Sequence, residues 1–436
     1  MTNSLWAETA LPSFPPLDGD CTVDVLVVGG GLAGLLCAHA LTEAGAGCLL
    51  IEANRICGGV TANTTAKLTA QHGLIYGRLL KEFGPDTTRL YWLANEAALE
   101  RYRKLAKVIP CEFTEKPSYV YSLDRRDKLL TELAALEQTG IRAVFQETLP
   151  LPFPVAGAIR FDRQAQFHPL QFAAGIARGL RICEHTEAQR FAPGEVVTNH
   201  GRIRAKHIVI ATHFPILNKH GGYFLKLYQH RSYVLALEGG PELEGMYVDE
   251  AENGLSLRNH GKLLLLGGGD HRTGKHGGGW AEVETVARQL WPGAEIRYRW
   301  ATQDCMSLDG VPYIGPYGQH ADGLWVATGF NKWGMTSSMA AAMVLSDRIQ
   351  GRRSPYEAVF SPSRTMLRPQ FFRNAWEAAS NLLTLSKPRC PHMGCALKWN
   401  PREHSWDCPC HGSRFAEDGR LLEGPATGRT HGIPRA

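Results

Sequence analysis

The order of apolar and polar positions suggests the first elements. A β-branched apolar run at 23–28 predicts a buried strand. Glycines follow it, and 32–44 then carries apolar residues at helical spacing. A second apolar run at 48–51 ends at Glu52, completing a strand–helix–strand unit. Further on, 88–109 and 127–139 read as amphipathic helices, 208–211 as a short strand, and 335–350 as an Ala- and Met-rich helix. The runs 262–266 and 324–327 read as strands that stop at glycines. Strands and helices mixed at this spacing predict α/β architecture with a second, sheet-containing domain. The pattern weakens after about residue 354. Pro362, Pro369 and Pro388 bracket one predicted helix, 370–385, which reads as a tether between modules.

The length of 436 residues, with 44% hydrophobic and 20% charged residues, is ordinary for a globular chain with a sizeable core. The net charge of +5 is spread without a basic block, which argues against nucleic acid as a partner. The most apolar stretch, 25–38, is too short and too glycine-rich to span a bilayer, and the first twenty residues do not read as a secretory signal. A cytoplasmic protein with no membrane span is expected. Seven of the eleven cysteines are scattered, as small core residues would be. Cys390, Cys395, Cys408 and Cys410 crowd together beside histidines, which suggests a metal centre.

The glycine turn carries the first candidate chemistry. Gly29, Gly31 and Gly34 fit G-x-G-x-x-G, followed by Leu32 and Ala33 at the start of the helix. The first glycine allows the turn, the second lets the backbone approach a pyrophosphate, and the third lets helix and strand pack closely. Glu52, at the end of the next strand, suits ribose hydroxyls and disfavours a 2′-phosphate.

The segment after the second strand favours FAD over NAD. The stretch from Gly58 to Gly73 resembles the segment lying along the flavin in the D-amino-acid oxidase family, and specifically in its members fused to a Rieske domain. The stretches 208–213, 309–315 and 329–336 fit the same resemblance. It implies that Thr61, Thr64, Thr65, Lys67, Leu68, Ala211, Thr212, Gly310, Gly329, Trp333, Gly334, Met335 and Thr336 help to hold the cofactor. His72, Lys67 and Lys332 are the catalytic candidates. His72 is open to three roles: a hydrogen-bonding support, a substrate contact or a covalent flavin link. Lys332 either tunes the site or caps the surface. The segment 267–274, a glycine triplet followed by Asp270, reads as a loop bordering the active site or as an ordinary turn. His213, His220, His230, His260, His271 and His276 show no metal-like spacing and read as satisfied or exposed.

Near the C-terminus, Cys390-Pro391-His392 and Cys408-Pro409-Cys410-His411 pair two thiolates with two imidazoles on two tight loops. That is the ligand set of a Rieske [2Fe–2S] cluster, with zinc as the alternative. The resemblance to Rieske proteins implies a Cys395–Cys410 disulfide, with a free thiol pair as the alternative. Ser413 stands where high-potential relatives have a serine bonding a cluster sulfide, and Phe415 where they have a tyrosine. An intermediate reduction potential is therefore expected. Few residues remain for a strand base. Only 411–422 reads as strand-forming, so the lobe is expected to lean on the flavin domain.

The expected fold is α/β. It has an N-terminal extension (1–21), then a Rossmann-like FAD-binding domain interleaved with a mixed-sheet substrate domain (22–360), a linker (361–386) and a small all-β Rieske lobe (387–436). The FAD-binding parts fall at about 22–105, 155–215 and 300–350, and the substrate parts at about 106–154 and 216–299. The expected function is oxidation of a C–N bond in a small amine or amino acid, with electrons relayed through the cluster to an unidentified acceptor. Electron flow in the other direction, from an unidentified donor, and a non-turnover redox sensor are the alternatives.

Overall fold

A computed structural model describes residues 3–217, 220–275, 277, 279–319, 321–385 and 388–432; His276 lies outside them. The first sheet is built on strand Cys21–Val28, with Gly201–Ile210 and Cys48–Ile51 parallel on either side. Leu324–Thr328 and Ile182–Cys183 extend it in parallel, and Tyr313–Pro316 adds an antiparallel edge. Helix Leu32–Glu43 buries residues all round its circumference, among them Leu32, Leu35, Cys37 and Leu41. An all-round apolar helix is one enclosed on every side. Here the enclosing elements are the sheet and helix Gly334–Ile349, whose Ala340, Ala341 and Val344 are buried in the same core.

The second sheet runs Glu295–Ser307, Leu227–Glu238, Leu263–Arg272, Ser256–His260, Met246–Asp249, Thr114–Ser122, Gly157–Gln166, Lys67–Leu68. It is antiparallel except where Met246–Asp249 pairs with Thr114–Ser122. Two parts assigned to the FAD-binding domain from sequence, Gly157–Gln166 and much of Glu295–Ser307, belong to this sheet instead. Their side chains alternate as strands of either sheet would, so only the pairing decides which sheet they join. The helix expected at 88–109 spans Tyr76–Ala106, with Pro85 inside it. Gly84, at φ 79°, breaks the helical path immediately before this proline, so two helical segments meet at a kink. The glycine triplet is not a loop. It lies within strand Leu263–Arg272, where a Cβ on Gly267 would sit 2.6 Å from Ser256 Oγ of the neighbouring strand.

The C-terminal lobe has more base than the sequence suggested. Four antiparallel strands, Lys398–Asn400, Ser405–Asp407, Arg414–Ala416 and Leu421–Glu423, form its sheet. The first two are a hairpin between the ligand loops, with Trp399 and Trp406 directly paired. Asn400 Oδ1 accepts from the Arg402 and Glu403 amides and so shapes the turn. The lobe's buried apolar cluster is still small: four cysteines with Leu397, Phe415 and Ala426. Docking supplies the rest. Arg231, buried in the second sheet, reaches Glu403 at 2.5 Å and Glu423 at 3.0 Å, while Arg414 of the lobe pairs with Glu403 at 2.9 Å and Asp407 at 3.0 Å.

Burial alone would raise the Glu403 carboxyl, but Arg231 and Arg414 override it and hold it down at about 2. This stabilisation is complete above the ordinary value of 4.5 and is lost as pH falls towards 2. Arg231→Met leaves the buried Glu403 and the partly exposed Glu423 short of a partner. A loss of about 3–5 kcal/mol in docking is expected. Limited proteolysis should then cut the 361–388 region faster in the variant, and in the wild type as the pH drops below 4.5, with FAD retained in the variant at neutral pH.

Candidate functional site

The glycine turn has the close contacts that require its residue types. Gly29 is at φ 110°, and a Cβ there would meet the Ala211 carbonyl oxygen at 2.6 Å. A Cβ on Gly34 would lie 1.9 Å from the Gly29 carbonyl oxygen. Gly31 caps the helix, and the Leu32 amide donates to Thr61 Oγ1 at 3.1 Å. Glu52 accepts from the Gly30 amide at 2.7 Å and the Asn54 amide at 2.9 Å. Each carboxylate oxygen keeps a further lone pair for a ribose hydroxyl. A helix N-terminus on a turn closed to a Cβ at Gly29, Gly30 and Gly34, beside an acid at the next strand end, fits an FAD pyrophosphate and ribose.

A cavity of about 740 Å³ opens against the second sheet, lined in part by strands Leu227–Glu238, Leu263–Arg272 and Glu295–Ser307. Thr64, Thr65, Lys67, His72, Gly310, Trp333, Gly334 and Met335 line it, together with Lys332. Leu68, Ala211, Thr212, Gly329 and Thr336 do not line it. Leu68 pairs with Ala165, the Ala211 amide donates to the Val28 carbonyl at 2.9 Å, and Thr212 Oγ1 donates to the Phe214 carbonyl at 2.9 Å. Gly329 turns at φ 70°, and the following Asn331 and Lys332 are also left-handed, an arrangement that non-glycine residues adopt rarely and often at functional sites. Ala33 is buried in the first turn of its helix.

His72 is held on all sides. Nδ1 lies 2.6 Å from Tyr91 Oη, and Nε2 lies 2.8 Å from the Thr69 carbonyl and 2.9 Å from Thr336 Oγ1. Its ring stacks on Trp333 at 5.0 Å. Burial holds it neutral, down at about 3. This geometry makes it a hub joining the 58–73 segment to the glycine turn. Lys67 is buried, with Nζ 3.0 Å from Thr65 Oγ1 and 3.4 Å from Ser256 Oγ. Burial, and then the neighbouring Arg258 guanidinium, push its ammonium down to about 7. Lys332 pairs with Asp270 at 3.0 Å. Asp270, in the 267–274 segment, lines the cavity, as do Asp304, Ser232 and Tyr228, which no motif marks, and His230, which reads in the sequence as satisfied or exposed. Burial raises Asp304 to about 6 against the opposing pull of Lys332. Asp309 of the 309–315 stretch forms a buried pair with Arg364, at 2.8 and 3.0 Å, anchoring the tether.

The two ligand loops are alike. The Cys390 amide donates to the Cys395 carbonyl and the Gly394 amide to the Cys390 carbonyl, both at 2.9 Å. In the second loop the Cys408 amide donates to the Ser413 carbonyl at 2.8 Å and the Gly412 amide to the Cys408 carbonyl at 2.9 Å. Gly394 and Gly412 turn at φ 78° and 80°. The loops bring the His392 and His411 rings to 4.9 Å and bury Cys390 and Cys408. His411 Nε2 donates to the Phe224 carbonyl at 2.9 Å, which fixes the tautomer and leaves the lone pair on buried Nδ1 without a hydrogen-bond partner. A buried, unspent imidazole nitrogen beside paired thiols fits a metal cluster. The expected Cys395–Cys410 disulfide is not formed: both are free thiols, within 4.8 Å of each other and of Cys408 Sγ. The loops gather three sulfurs in one pocket, so neither cysteine has an exclusive partner. A second group, Glu112, His168 and His260, comes within 4.8 Å across elements that no sequence spacing would have joined. His168 there caps helix Pro169–Ala177 by accepting from the Gln171 amide, and Trp6 packs edge-on to both rings.

One sheet separates the cavity from the cluster loops. On strand Leu227–Glu238, Tyr228, His230 and Ser232 line the cavity. The residues between them turn the other way: Gln229 Nε2 donates to the His411 carbonyl at 2.7 Å, and Arg231 grips the lobe. On strand Glu295–Ser307, Thr302, Asp304 and Met306 line the cavity while Gln303 donates to the Gly412 carbonyl at 2.9 Å. His230 is register-paired with Asp304, and Arg231 with Gln303. Phe214, three residues past Ala211, meets both His392 and His411 edge-on, at 6.3 and 5.8 Å.

Comparison with known proteins agrees. The family model for FAD dependent oxidoreductases matches residues 24–348 and that for the Rieske [2Fe-2S] domain matches 375–434. The chain belongs to the FAD dependent oxidoreductase family and carries a Rieske [2Fe-2S] domain. This oxidoreductase is 36% identical to the putative Rieske 2Fe-2S iron-sulfur protein YhfW of Bacillus subtilis, over 96% of this chain and 94% of that protein. It is 24% identical to the gamma-glutamylputrescine oxidoreductase of Escherichia coli, over 82% and 91%. Glycine oxidase from Geobacillus kaustophilus shares the fold, with a TM-score of 0.66 and 21% identity over 79% of this chain and 99% of that one.

The tight dock gives a test in this FAD-dependent oxidoreductase. A Cβ on Gly412 would lie 2.7 Å from Gln229 Cβ at a left-handed backbone position. Gly412→Val should lower the iron-to-flavin ratio of the purified protein several-fold while leaving FAD content unchanged. An unchanged ratio would show that this loop does not depend on its seat.

Proposed function

We propose that this oxidoreductase removes two electrons from the C–N bond of a small amine or amino acid in the 740 Å³ cavity and passes them through the Rieske centre to an external acceptor. The observation that carries the reading is the shared sheet: the cavity residues and the residues gripping the cluster loops are neighbours on the same two strands. FAD supplies hydride acceptance, and the cluster supplies one-electron exchange. Gly29, Gly31, Gly34 and Glu52 would hold the FAD; Cys390, Cys408, His392 and His411 would hold the cluster. The substrate class is supported by glycine oxidase and gamma-glutamylputrescine oxidoreductase among the similar proteins.

The chain's own residues fit an amine substrate. An amine must lose its proton before hydride can leave. Lys67, pushed down to about 7, is neutral above that pH and can accept a proton at Nζ. Asp270 and Asp304 offer carboxyl groups to an ammonium in the cavity, with Lys332 balancing their charge. His72 fixes the glycine turn through Thr336 and Trp333 and needs no proton transfer of its own.

Anaerobic mixing with glycine, gamma-glutamylputrescine and a wider amine panel should bleach the flavin with at least one compound. Bleaching by NAD(P)H alone would sink the reading. The rate of bleaching should rise with pH through a value near 7. Lys67→Met should abolish that rise and slow reduction roughly 10²–10⁴-fold.

A further inference from the structure

Helix Pro369–Leu383 is turned inside out. Its polar residues Asn374, Glu377 and Asn381 are buried against the body of the protein. Gln370 and Arg272 hydrogen-bond Asn374, and Lys275 pairs with Glu377 at 2.8 Å. The opposite face carries Phe372, Trp376 and Leu383, at 61%, 75% and 80% exposure, with Leu382 at 45%. Spacings of four and seven residues place Phe372, Trp376 and Leu383 on one stripe. Leu367 and Leu385 extend it beyond both ends of the helix, at 75% and 92%. A stripe of large apolar side chains this exposed marks an interaction surface.

Charge selects the occupant. Segment 361–389 holds five basic residues against one acid, Glu377; Arg364 and Arg368 are paired with Asp309 and Glu82, which leaves Arg373, Lys387 and Arg389 as its positive excess. Glu377 is already taken by Lys275, and among the described residues Arg373 and Arg389 have no carboxylate partner. A second copy of this segment would bring like charges together, whereas an anionic surface would meet them favourably. The stripe is a convex ridge on a single helix, with Trp, Phe and Leu outermost, the composition that seats a helix in a lipid interface. The ridge adjoins the site. Arg368, Gln370 and Arg373 line the cavity mouth, and a Cβ on Gly394 of the first cluster loop would lie 3.9 Å from Leu382. His392 of that loop is half-exposed, and Met393 is 37% exposed.

We propose that this ridge docks the protein peripherally on an anionic lipid surface, with the cavity mouth and the first cluster loop facing the bilayer. No helix among the described residues is long and apolar enough to cross a membrane, so attachment lies in the interface. The proposal is independent of the substrate reading.

The test is flotation of the FAD-loaded full chain with phosphatidylcholine vesicles and with vesicles containing phosphatidylglycerol. Binding to the anionic vesicles should exceed binding to neutral ones by roughly tenfold or more and should weaken as salt is raised. The double variant Trp376→Glu with Leu383→Glu should lose that binding by a similar factor while keeping FAD absorbance and thermal transition unchanged. Equal binding of the wild type to both vesicle types would overturn the proposal, and that comparison needs no variant. So would a dimer in solution that the double variant splits, with no vesicle binding, since a second copy would then cover the ridge.

Discussion

The two-residue alternation of strands Leu227–Glu238 and Glu295–Ser307 is the constraint on which the rest depends. Side chains of a strand leave on opposite faces by turns, and directly paired residues share a face. His230 and Asp304 therefore face the cavity, while Arg231 and Gln303 face the cluster lobe. A one-residue slip would put a buried arginine in the cavity and a titratable pair against the lobe. The register thus fixes two sites at once and sets them on opposite faces of one sheet.

The lobe's economy follows from that placement. Its apolar cluster is mostly cysteine, and it closes its fold on the neighbouring sheet through Gln229, Arg231, Arg272 and Gln303. Arg272 donates to the Pro409 carbonyl at 3.0 Å, so a third strand grips the second ligand loop. His411 is the inner ligand candidate, seated on the Phe224 carbonyl, and His392 is the outer, half-exposed one. In the proposed relay, electrons would enter on the sheet side, by His411, and leave on the side of half-exposed His392.

Local signals were legible in the sequence. The glycine turn, its strand and Glu52, and the paired Cys and His loops each announce themselves within a few residues, because backbone approach and ligand geometry demand fixed spacing. Several features depend on distant pairings and were not legible. Gly267 looks like a loop glycine until its strand is seen against Ser256. Asp270 and Asp304 gain meaning only from Lys332 across the cavity. The 398–407 hairpin was overlooked because its strands are three residues long, although Asn400 and the two tryptophans carry the signal. The disulfide inferred for Cys395 and Cys410 rested on a resemblance alone, and the loops place a third sulfur between those alternatives.

The central claim is that the flavin and cluster sites communicate through this sheet. Anaerobic photoreduction of the flavin in the holoenzyme, with a sacrificial donor and low-temperature EPR at each dose of light, tests it without any substrate. The account predicts a rhombic Rieske signal growing to one spin per FAD as electrons enter at the flavin, and a much slower rise in Gln303→Ala. A fully bleached flavin beside an iron-loaded cluster that stays EPR-silent would contradict it.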